Sequence, residues 1–183
     1  VKGAARAAVR HGVRLLNVHT SGGVPALEAA VDGVNDGTTK YNNKAPELLG
    51  MTILTSLDEA RFLQTFQPVN PVLQEIDFSK YCDMKKDDET LQQEFRSLLE
   101  HYSLTGIIAR QVLHLAKLAQ SAGFNGMISS TADLYAVRDH MPRGFTYVTP
   151  GIQAPGAAGV ATDQRRVFSP YNAIKEGATI LVV

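Results

Sequence analysis

The sequence predicts an α/β fold built on a parallel sheet. Five short apolar runs fit buried strands, helical sequence separates each from the next, and Ser, Thr, Gly or Pro closes four of them. Helical connections of this kind indicate parallel strands joined by right-handed crossovers. Periodicity alone does not separate an open doubly wound sheet from a closed barrel, because both need the same alternation.

The elements follow in order. From Lys2 to His11 the alanines and Val9 recur at helical spacing, and Gly12 stands where a helix stops. Val13 to His19 (VRLLNVH) is a short strand closed by Thr20-Ser21-Gly22-Gly23. Pro25 suits the first turn of a helix from Ala26 to Val31. The Asn, Gly, Thr and Lys content of residues 33 to 45 reads as a loop, and Leu48 to Thr55 (LLGMTILT) as a second strand. Asp58 and Glu59 open another helix with acids at its positive end.

Residues 68 to 103 are irregular, with Pro68 and Pro71 breaking helices and a charged run at Lys85 to Glu89. We read them as an inserted helical segment. Phe95, Leu98, Leu99 and Tyr102 form an apolar stripe that suits packing on the parent fold, a dimer face or a cover for the site. Ile107 to Ala122 is an amphipathic helix, and Gly126 to Ser130 a third strand. Ser130 and Asp133 have capping-box spacing for a helix from Ala132 to His140. Phe145 to Thr149 is the fourth strand, Ser169-Pro170 starts a helix ended by Gly177, and Ala178 to Val183 is the fifth strand.

Composition narrows the function. The 183 residues are 44% hydrophobic, and 18 basic side chains balance 18 acidic ones. No whole-chain field favours nucleic acid or an anionic membrane, so a small molecule or a second copy is the expected partner. Cys82 has no internal disulfide partner, and the five histidines lack metal-site spacing. A reducing, cytoplasmic setting without a structural metal is expected. No apolar run reaches the roughly 20 residues that span a bilayer. Val1 falls inside helical sequence with no initiating methionine, so the chain is expected to be an excerpt of a longer protein.

In a parallel β/α fold the functional groups follow the strands. Here they are NVHTSGG from Asn17, Leu54-Thr55-Ser56, Ser129-Ser130 and Thr149-Pro150-Gly151-Ile152. Singly, each is ordinary turn chemistry. In series, with AARAAVRHGVRLLNVHTSGG, LLGMTILTS, LAKLAQSAGFNGMISS and TPGI followed by DQRR and a Ser-Pro helix start, the chain resembles the orotidine 5'-phosphate decarboxylase family. The resemblance excludes only about residues 33 to 45 and 68 to 103.

That resemblance implies a (β/α)8 TIM barrel, with the five strands as its fourth to eighth and residues 1–183 as one partial barrel. It implies removal of CO2 from orotidine 5'-monophosphate to give UMP without metal or organic cofactor, and a homodimer. Thr55 matches a position near the base, although its hydroxyl equally suits capping of the next helix. Gln164 matches the glutamine that reaches the substrate phosphate from a mobile loop, and Gly151 opens that loop. Gln153 stands where bacterial relatives carry arginine, which removes a fixed positive charge beside the phosphate.

The family's Asp-x-Lys-x-x-Asp catalytic run is expected before Val1 and its phosphate-clamping Gly-Arg after Val183. No catalytic residue is therefore assigned within the chain. Two other readings stay open: a different sugar-phosphate barrel enzyme, against which TPGI with DQRR argues, and a non-catalytic nucleotide-binding or structural remnant of the barrel.

Overall fold

The computed structural model describes residues 1–66, 71–85, 87–153 and 168–183. Five strands form one sheet in chain order: β1 (Leu15–His19), β2 (Glu47–Met51), β3 (Gly126–Ile128), β4 (Thr146–Thr149) and β5 (Ile180–Leu181). Every neighbouring pair is parallel. A doubly wound sheet reverses its order at a switch point, and this one does not. With right-handed crossovers, an unreversed order puts the connecting helices on one side, which is how a barrel wall is built.

The helices are α1 (Lys2–Arg10), α2 (Gly23–Tyr41), α3 (Glu59–Thr65), α4 (Pro71–Gln74), α5 (Ser79–Cys82), α6 (Glu89–His101), α7 (Ile107–Ser121), α8 (Thr131–Val137) and α9 (Pro170–Lys175). Their ends follow the expected local chemistry. The Ser130–Asp133 capping box is present, Ser169 accepts from the Asn172 amide at the start of α9, and Asp58 accepts from the Arg61 amide at the start of α3.

One expected loop is a helix. Residues 33 to 41 continue α2, which ends only at Asn42 in the left-handed region (φ 53°). The glycines that suggested a loop mark a helix crossing. A Cβ on Gly33 would lie 2.3 Å from the Lys2 carbonyl oxygen, and one on Gly37 would lie 2.8 Å from Val9 Cβ. Lys2 also pairs with Asp36 at 3.1 Å across the crossing. The second strand is also shorter than the apolar run suggested. It stops at Met51, and the hydroxyl of Thr52 donates to the Ile128 carbonyl at 3.0 Å as the chain turns toward α3.

Two apolar clusters fill the helix side of the sheet. In one, Val9, Leu27, Ala30 and Val34 of α1 and α2 cover Leu16, Val18 and Leu48. The other joins Met127 and Tyr147 of the sheet to Ile108, Val112 and Leu134, and extends to Leu63, Leu73, Phe78, Tyr81 and Phe95. The described part of 68 to 103 therefore packs on its own wall as α4, α5 and α6, with the Tyr81 and Phe95 rings stacked at 4.7 Å. Phe95 is buried, and Leu98, Leu99 and Tyr102 pack against the same cluster.

Candidate functional site at the strand ends

Strand alternation divides the sheet into two faces. Leu16, Val18 and Leu48 turn toward the helices, so Asn17, His19, Leu49 and Met51 line the opposite face. Carried through the register, that face gains a row of five side chains near the C-terminal edge: His19, Met51, Ile128, Val148 and Ile180, one from each strand. Behind it runs a second row of Asn17, Leu49, Gly126 and Thr146. These two rows are apolar except at Asn17, His19 and Thr146, and Glu47 lies on the same face at the N-terminal edge.

The sequence reading singled out the run from Asn17 to Gly23 but no single residue in it. The signal was present in LLNVH: once Leu16 and Val18 face the helices, Asn17 and His19 fall together on the other side. Thr20 then holds the edge, its hydroxyl donating to the Met51 carbonyl at 2.8 Å.

Thr55 is buried, in the connection from β2 to α3, where the Leu57 amide bonds the Leu54 carbonyl at 3.0 Å. Gly151 follows β4 with φ 77°, a left-handed conformation that a Cβ strains. Its carbonyl accepts from the Phe168 amide and the Gln153 amide donates to the Phe168 carbonyl, both at 3.0 Å. Ile152 and Phe168 form a parallel bridge between these bonds. Gly151 and Gln153 thus sit at a closed neck at the C-terminal end of β4, on the edge of the sheet that also carries Thr55. Gln164 lies outside the described residues, as does the rest of 154–167.

Ser129, which follows β3, and Thr149, which ends β4, carry buried hydroxyls that have no hydrogen-bond partner among the described residues. Beside the edge lies a cavity of about 740 Å³ lined by His19, Thr20, Phe62, Phe66, His114 and Leu118 among others. Among the described residues no group of three or more His, Cys, Asp or Glu side chains is arranged to hold a metal ion. No helix among them is long and apolar enough to cross a membrane.

The chain's likeness to known proteins agrees with this geometry. No family model matches. A curated orotidine 5'-phosphate decarboxylase of Moorella thermoacetica is 33% identical over 183 residues, which is 100% of this chain and 58% of the relative. Another, of Synechococcus sp. strain WH7803, is 34% identical over 99% of this chain and 59% of its own length.

Among solved structures, the orotidine 5'-phosphate decarboxylase of Lactobacillus acidophilus superposes with a TM-score of 0.61 at 26% identity, covering 100% of this chain and 59% of that one. An uncharacterized conserved protein of Geobacillus kaustophilus, at 21% identity and a TM-score of 0.63, shares the fold with the same coverage. The chain spans less than two thirds of each of these proteins, and its resemblance to the decarboxylases extends along its whole length.

Proposed function

We propose that this chain supplies the later strands and the phosphate-gripping loop of an orotidine 5'-phosphate decarboxylase, a lyase that converts orotidine 5'-monophosphate to UMP in pyrimidine biosynthesis. The single observation that carries the reading is the full-length match to relatives bearing that name, at 33% identity over all 183 residues. The neck at Gly151, Gln153 and Phe168 supports it, because these residues on either side of 154–167 meet at the strand edge where a ligand of a β/α barrel sits.

In this reading Gln164 donates its amide to a phosphate oxygen, Gly151 lets the backbone turn into the loop, and Thr55 offers a hydroxyl beside the pyrimidine. Closing the loop uses phosphate contacts, remote from the bond that breaks, to hold a water-poor site in which the reacting charges are aligned. The apolar row Met51, Ile128 and Val148 suits such a site. No residue of this chain is assigned the proton transfer to the substrate carbon. The Asp-x-Lys-x-x-Asp segment that would carry it is expected elsewhere in the protein.

A homodimer in the cytoplasm completes the proposal. Val24, Leu54 and Phe66 are exposed apolar side chains near the strand ends, and Leu54 and Phe66 also line the 740 Å³ cavity. Such surface favours self-association. The test is turnover of orotidine 5'-monophosphate by the protein that carries this chain, together with titration of 6-azaUMP, a mimic of the carbanion. CO2 release with tight 6-azaUMP binding is expected. Binding without turnover supports a non-catalytic remnant, and loss of both contradicts the reading.

A further inference from the structure

We propose that the inserted helices α4 to α6 position the nucleotide site: they hold α3, and α3 holds the turn that presents Thr55. The inference rests on the decarboxylase reading for the role of Thr55, and on the structure for the mechanical link.

At seven residues, α3 is too short to persist by itself. It packs against α5 on one side and α7 on the other. Its Ala60, Phe62 and Leu63 share one core with Leu73, Phe78, Tyr81 and Phe95 from the insert. Without the insert, one wall of α3 would be solvent.

A guanidinium adds a directional tie. Arg61, whose side chain is 19% exposed, bonds Asp58 Oδ2 through Nη1 at 2.7 Å and Asp83 Oδ1 through Nη2 at 2.6 Å. Asp58 is the N-cap of α3, its other oxygen accepting the Arg61 amide at 2.9 Å, and Asp83 is the residue that ends α5. One side chain therefore joins the cap of α3 to the insert. Thr55 lies three residues before that cap, and the segment is pinned at its other end by Thr52 to the Ile128 carbonyl. Releasing the Asp58 end frees the Thr55 turn and leaves the sheet intact.

The test is hydrogen exchange on the intact protein carrying Arg61→Gln, Arg61→Lys or Asp83→Asn, with UMP affinity measured in parallel. Arg61→Gln is expected to speed exchange across residues 52–58 about two- to fivefold, the scale of an ion pair whose Asp83 end is 88% exposed, with β3 and β4 unchanged. UMP affinity falls in step, and Arg61→Lys restores part of both. Unchanged exchange across 52–58, or faster exchange throughout β3 and β4 as well, overturns the positioning role. A parent protein that shows the exchange pattern but binds no UMP instead overturns the nucleotide reading on which the role of Thr55 depends.

Discussion

Thr146 on β4 donates its hydroxyl to Glu47 Oε2 on β2 at 3.0 Å, reaching across the intervening strand where β3 begins with Gly126. The bond exists because Gly126 has no side chain. A Cβ there would lie 2.2 Å from the Thr146 carbonyl oxygen and 2.8 Å from Leu49 Cδ2. It sits at the N-terminal end of the strands, the end that serves stability in this architecture. Gly126→Ala is therefore expected to destabilise the fold by at least about 1–3 kcal/mol, read by denaturant unfolding. A variant as stable as the parent contradicts the register assigned to β2, β3 and β4.

The crossing of α1 and α2 predicts a contrast between glycines. Gly33→Ala drives a methyl into the Lys2 backbone and is expected to cost about 1–3 kcal/mol. Gly3→Ala meets nothing within 4 Å and lies within α1, so it is expected to stabilise by about 0.5–1 kcal/mol. Thermal melts of the two variants should move in opposite directions.

Hydrogen bonds from Lys80 and Tyr81 hold the Glu94 carboxyl below the usual carboxylate range. A depressed folded-state value means that the stabilisation is complete above the ordinary carboxylate value and is lost as the pH falls through the folded one. Glu94→Gln is expected to be less stable than the parent at neutral pH, with the gap closing in acid. Unfolding curves from pH 7 down to about 3 check the sign. A gap that widens in acid rules out this account of the latch between α5 and α6.

At the loop neck, Gly151→Ala strains a left-handed residue and should weaken UMP binding more than it lowers the melting temperature. Gln153→Arg restores a cation beside the proposed phosphate position. It is expected to tighten UMP roughly three- to tenfold at low salt, with the gain shrinking as salt rises. Equal affinity at every ionic strength would place Gln153 away from the phosphate.

Much of this architecture could be read from the sequence, for reasons that particular residues make clear. Strand runs such as LLNVH and FTYVT and caps such as Ser130, Asp133, Ser169 and Pro170 encode their structure within a few residues, and each stands where it was expected. Gly33 and Gly37 misled because their role is set by α1, thirty residues away in sequence: a glycine at a helix crossing and one in a loop look alike until the partner is known. The unreversed strand order is likewise a tertiary fact, which the resemblance implied and periodicity did not.

Thr55, Gly151 and Gln153 came from strand-end position and family likeness, and they share one edge of the sheet. Asn17 and His19 emerge as a pair only once the strand's inward face is fixed by Leu16 and Val18. The support that Arg61 lends to Asp58 and Asp83 joins residues 22 positions apart in chain order, a pairing that no local pattern announces.

The central claim is that the loop beyond Thr149 closes on a nucleotide phosphate through Gln164. It is tested most directly by calorimetric titration of UMP and of uridine into the parent protein and into Gln164→Ala. UMP is expected to bind at least about a hundredfold tighter than uridine, with the substitution removing much of that difference. UMP and uridine binding alike, or a phosphate preference untouched by Gln164→Ala, would contradict it.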